Sequence, residues 1–239
     1  MAEELGKIEK PQAETFKGSR KLYVIQLLFA GSDAPAEFIE KVNRYWLQVG
    51  EHLLAQESKV GKITRIYHEA VAFGGDEGVK VLEHWNAGSY TLVKQKVDEG
   101  AVLEATELSE LADQCMDWER CLMIGFYSHQ VAETVTANYR EASQKRYKYI
   151  SGVISESLGA GDVGLLFIRE GQPVQFPPDT DVFTVAPPAL DDIRRWLRER
   201  QEHHHDQDCG CSDGDDCDCG EEEGCDCGCE DSHADDASK

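Results

Sequence analysis

The sequence predicts an α/β protein. A single globular domain spans residues 21–201 and carries a mixed sheet of four or five strands covered by helices. Two observations predict this. Nearly continuous apolar runs at residues 22–29 (LYVIQLLF) and 162–168 (DVGLLFI) fit strands buried on both faces. Stretches with apolar residues at helical spacing lie between the strand candidates, and that alternation favours a covered sheet over an all-α or all-β fold.

Residues 1–20 are polar and charged and read as a mobile arm. After the first strand, Ser32 or Asp33 is placed to cap a helix with Pro35 in its first turn. Phe38, Val42, Tyr45, Val49 and Leu53 recur along that helix as a core stripe, with His52 beside it. Residues 62–73 read as a second strand. Gly74-Gly75-Asp76-Glu77-Gly78 follows as a turn with Asp76 as N-cap. It lacks the Gly-Lys-Ser/Thr ending of a phosphate loop, and Asp76 would repel a phosphate.

The next helical pattern runs from Val81 to Val97 and can break at Asn86-Ala87-Gly88. Residues 101–106 suggest a short strand, with Thr106 able to cap a helix carrying Leu108, Leu111, Cys115 and Leu122. Cys115 and Cys121, six apart, sit on different helix faces and read as small hydrophobes rather than metal ligands. Ser128-His129 lacks the setting of a nucleophile elbow. The longest helical pattern covers residues 131–158 and ends at Gly159-Ala160-Gly161. A strand at 181–186 follows a proline-rich link. Pro187-Pro188 opens a last helix with Asp191 and Asp192 early and Arg194, Arg195, Arg198 and Arg200 late, matching the helix dipole.

The helix with Arg146, Ile150, Ile154 and Leu158, its glycine turn and DVGLLFI resemble the helix–strand unit of the third domain of the eukaryotic and archaeal type of peptide-chain release factors, over residues 146–195. That resemblance implies an α/β sandwich and a contact with ribosome or RNA, for which Arg194, Arg195, Arg198 and Arg200 beside Trp196 are the candidate residues. The family's Gly-Gly-Gln tripeptide is absent, since Asp76 follows Gly74-Gly75, so peptidyl-tRNA hydrolysis is not implied.

Composition changes abruptly in the tail, residues 202–239. Of a net charge of −22, this segment holds −14. Cysteine aside, no apolar residue larger than alanine follows Arg200, so the segment cannot bury enough surface to offset its chain entropy and is expected to be disordered without a ligand. Its cysteines form a register of eight: Cys209 and Cys211, Cys217 and Cys219, Cys225 and Cys227, with Cys229 added. Two thiolates at C-x-C spacing close on one soft cation, so the expected ligands are Zn²⁺ or Cu(I). His203, His204, His205 and His233 can add nitrogen donors. The density of C-x-C units is similar to that of metallothioneins.

No apolar leader opens the chain and no run of 18 apolar residues exists, so a cytoplasmic, membrane-free protein with reduced thiols is expected. The acidic balance argues against broad electrostatic binding of nucleic acid. The function expected from these features is a non-enzymatic binding protein with a soft-metal-binding tail. The alternatives are a release-factor-like protein without hydrolysis, or an enzyme whose class the spacing does not reveal.

Overall fold

A computed structural model describes residues 18–31 and 33–208, with side chains through Arg200. The chain divides into two units, one ending at Arg195 and the other starting at Trp196. The first contains β1 (Arg20–Gln26), α1 (Ala36–Val60), β2 (Arg65–His68), α2 (Gly75–Trp85), α3 (Ala87–Asp98), β3 (Val102–Leu103), α4 (Ser109–Ile124), α5 (His129–Ser157), β4 (Val163–Ile168), β5 (Thr180–Val185) and the start of α6 (Pro188–Asp208).

The α/β class holds, with five strands in the order β3-β2-β4-β1-β5. Every strand pair is parallel rather than mixed. The reason lies in the connections: only β2 and β3 are neighbours both in sequence and in the sheet, and α2 and α3 lie between them. No hairpin can form, and parallel neighbours need crossovers of that length.

β4 occupies the centre, and all six of its residues are buried. Side chains alternate across the sheet. Tyr23, Ile25, Ile66, Leu165 and Phe167 face a core shared with α1, α2, α3 and the first turns of α6. Leu22, Tyr67, Leu166 and Ile168 face Tyr147, Ile150 and Ile154 of α5. Each fully buried side chain of this size contributes about 1.5–3 kcal/mol, which is why the most apolar run lies where both faces are covered. Gly164 lets the layers meet: a Cβ there would lie 2.8 Å from Leu22 Cδ1 and 3.0 Å from Leu158 Cδ1.

Three helix starts differ from expectation. Pro35 itself is the N-cap of α1, with no side-chain cap bond. Its fixed φ already sets the first turn, so a capping side chain is not required. Gly74 rather than Asp76 caps α2, and Asp76 lies in the first turn, where a carboxylate also suits the dipole. Leu108 rather than Thr106 precedes α4. Thr106 is buried, and its Oγ1 accepts from the His68 N–H at 3.1 Å and donates to the Glu104 carbonyl at 3.1 Å. The break at Asn86 is as expected: its side chain accepts from Ser89 N and starts α3. The second strand is shorter than expected, four residues, because the chain bends away at Glu69 to border the cleft described next.

Candidate functional site at the carboxyl edge of the sheet

The carboxyl ends of β1, β2 and β4 open into a cleft of about 360 Å³. Here the chain direction in the sheet reverses. From β1 it steps to β2 and β3 on one side, then returns to β4 and crosses β1 to β5. In open parallel sheets such a reversal leaves a crevice between the loops at the strand ends. Two loops are pinned together beneath it, because the Val71 carbonyl accepts from both Thr106 N and Glu107 N at 2.9 Å.

The floor is a buried ion network, assembled from residues in the loops that follow the strands and from α5. Glu69 follows β2, Arg169 follows β4, Glu107 follows β3, and Arg146 and Tyr147 come from α5. Glu69 Oε2 accepts from the Arg169 N–H at 2.6 Å, and its Oε1 accepts from Arg169 Nε at 2.8 Å and from the Tyr147 hydroxyl at 3.0 Å. Arg146 Nε donates to both carboxylate oxygens of Glu107 at 3.0 Å, and Nη2 donates to the Glu69 carbonyl at 3.2 Å. Arg169 Nη1 reaches Glu119 of α4 at 3.5 Å.

Burial and charge oppose each other in this floor. Burial pushes the Glu107 carboxyl above its usual range, against the pull of Arg146. The Tyr147 hydroxyl is also pushed up, by burial first and by the Glu69 carboxylate second. Isolated ions could not remain in such a place; paired and hydrogen-bonded ones can.

The walls are apolar. Phe29, Phe73 and Trp85 stand at the mouth, 41%, 48% and 55% exposed, and Phe29 meets Trp85 edge to face with ring centroids 6.2 Å apart. Opposite them α4 turns Ala112, Asp113, Met116 and Glu119 to the cleft. Behind the cleft His68 is fully buried. Its Nδ1 accepts from Ala70 N at 3.1 Å, and its Nε2 pairs with Ser89 Oγ at 3.1 Å.

None of these cleft residues stands out by motif. Glu107 and Arg169 could be found only as charges directly following strand patterns, Glu69 lies inside the run read as a strand, and Arg146 is a cation inside the apolar stripe of a helix. The predicted site residues lie elsewhere. Cys209, Cys211, Cys217, Cys219, Cys225, Cys227, Cys229 and His233 lie outside the described residues. The backbone of His203, His204 and His205 belongs to α6. Arg194 is engaged by Glu170, Asp191 at 3.7 Å and the Gln26 side chain at 3.2 Å. Arg195 and Arg198 are exposed, and the Arg200 guanidinium lies 4.8 Å from the Trp196 ring centroid. Cys115 is buried, which pushes its thiol up, and Cys121 is half-buried. Ser128 caps α5, while His129 is exposed beside Glu133.

Among the described residues, no helix is long and apolar enough to cross a membrane. Comparison with family models, with curated proteins and with solved structures finds no match to this chain.

Proposed function

We propose that this is a binding protein for a small organic ligand, seated in the cleft at the carboxyl ends of β1, β2 and β4. One observation carries the reading: an aromatic mouth stands above a floor of buried, mutually paired charges at the reversal point of a parallel sheet. Pockets of this size and make-up, apolar walls with a few fixed polar groups, are where small molecules bind. The walls supply contact area, and the network holds its polar groups rigid.

The test is a protein-observed NMR screen of a fragment library against the full chain. Hits are expected to converge on the Trp85 indole and the Met116 methyl, and to weaken in Trp85→Ala. Hits scattered over the surface, or unaffected by that substitution, would remove the reading.

A second reading concerns the tail, and the eight-residue register of its C-x-C pairs supports it. Kept reduced in a cytoplasm, the seven thiols bind about two Zn²⁺, or more Cu(I), by tetrahedral sharing. Metal analysis of protein purified anaerobically without chelator tests this. Replacing Cys217, Cys219, Cys225 and Cys227 by Ser is expected to remove most of the metal, and an unchanged content would refute it. The ribosome or RNA contact has a separate test, salt-dependent filter binding, since neutralised phosphates impose a salt slope.

A further inference from the structure

We infer that the ligand of the cleft is an organic cation: a protonated amine on an aryl or short apolar body. This rests on the cleft being the binding site and deepens that reading.

The first argument is charge. Four carboxylates line the cleft, Glu69, Glu107, Asp113 and Glu119, against two guanidiniums, Arg146 and Arg169. Each guanidinium already holds a carboxylate. Arg146 is held by Glu107 and by the carbonyl of Glu69, and Arg169 by Glu69 and Glu119. An anionic ligand would sit among four carboxylates, and drawing either guanidinium towards itself would leave a buried carboxylate short of donors. Asp113, by contrast, is exposed on the cleft face of α4 and has no ion-pair partner among the described residues. Among the described residues, Glu119 is held only by the 3.5 Å contact with Arg169. An ammonium can approach Asp113 from the open side without disturbing the floor, with Glu119 adding its negative charge beside it.

The second argument is independent and comes from the rings. Phe29, Phe73 and Trp85 border the same opening. Aromatic faces are negative and attract a cation within about 6 Å of the ring centroid, Trp most strongly. Carboxylates and aromatic rings therefore favour the same sign of charge. A bare metal ion is a poorer fit, because among the described residues no group of three or more His, Cys, Asp or Glu side chains is arranged to hold one. The volume of about 360 Å³ suits a body the size of one aryl ring with a short chain.

The experiment compares three probes of one skeleton on the full chain: 2-phenylethylammonium, 2-phenylethanol and phenylacetate. The readout is the Trp85 indole N–H resonance, assigned with Trp85→Phe. Near-physiological salt screens the diffuse field of the acidic tail, and the indole resonance reports the cleft alone. The ammonium is expected to shift this resonance at roughly ten-fold lower concentration than phenylacetate, the size of one well-placed cation contact. Asp113→Asn with Glu119→Gln, an exposed and a half-buried position of α4, is expected to remove most of that preference. If the alcohol or phenylacetate binds as tightly as the ammonium, or the double variant keeps the full preference, the cation assignment falls while the cleft stands. If no probe moves the Trp85 resonance at millimolar concentration, both fall.

Discussion

The Ala70 N–H donates to Nδ1 of His68 at 3.1 Å, and this contact fixes the state of the histidine. A nitrogen that accepts from a backbone N–H carries no proton, so the proton of neutral His68 sits on Nε2 and is donated to Ser89 Oγ. Protonation of Nδ1 would set N–H against N–H in a fully buried site. Burial accordingly pushes the His68 pKa from 6.5 down to about 3.

This depressed pKa gives a pH dependence with a definite sign. Between pH 6.5 and 3 the unfolded chain holds a proton on His68 that the folded chain does not, so His68 contributes stability that is present above pH 6.5 and lost as pH falls towards 3. The expected loss is about 1.4 kcal/mol per pH unit. Urea melts of wild type and His68→Asn across this window should converge as pH falls. Parallel profiles would show that His68 does not titrate on unfolding.

Arg146 and Glu107 give the largest expected effect of a single change. Arg146→Leu leaves Glu107 and Glu69 buried with lost donors and should cost about 3–5 kcal/mol. Adding Glu107→Leu should recover a large part of that loss, because two apolar groups replace one orphaned charge. Urea midpoints of the two single variants and the double variant form the cycle. Additive losses would mean that the pair is not coupled.

Gly88 separates two opposite expectations. It lies in the first turn of α3, and in an open helix glycine to alanine is worth up to about 1 kcal/mol of stability. Here the added Cβ would fall 2.2 Å from Trp46 Cδ1, inside the indole. Gly88→Ala is therefore expected to destabilise by about 1–3 kcal/mol, the range for overpacking. A raised melting temperature would mean that Trp46 moves aside without penalty.

Truncation after Gln201 is expected to change the melting temperature little in metal-free buffer, since the deleted residues are polar and their composition offers little apolar surface to bury. A drop of several degrees in a thermal melt would show that these residues carry part of the fold's stability.

The strands, the helices and the break at Asn86 were legible in the sequence because each leaves a periodic mark: six apolar residues for β4, a seven-and-four spacing for Val135, Ala142 and Arg146 in α5. The parallel direction was less legible, because one strand's pattern does not say which strand lies beside it. The cleft was not legible. Glu69 and Arg169 are a hundred residues apart, and only the sheet order brings β2 and β4 side by side. Charges that end buried look, in sequence, like those that end in water. The clue that was available is positional and partial: Arg169 directly follows an apolar strand, whereas Glu69 lies inside the run 62–73 read as one.

The pairing of β1 also constrains how the chain is made. β1 has two partners, β4 and β5, and both begin roughly 140 residues or more after it. At a synthesis rate of about 5–20 residues per second, this hydrophobic strand waits on the order of ten seconds before its first partner exists. Over that interval an apolar, β-prone segment (Leu22 to Leu28) stands without the neighbours that cover it, and such segments are the ones that pair wrongly between chains. The nascent chain is thus most exposed to aggregation before β4 emerges. A ribosome stalled short of residue 163 should hold a chain that binds holding chaperones, and one stalled well past residue 185 should not.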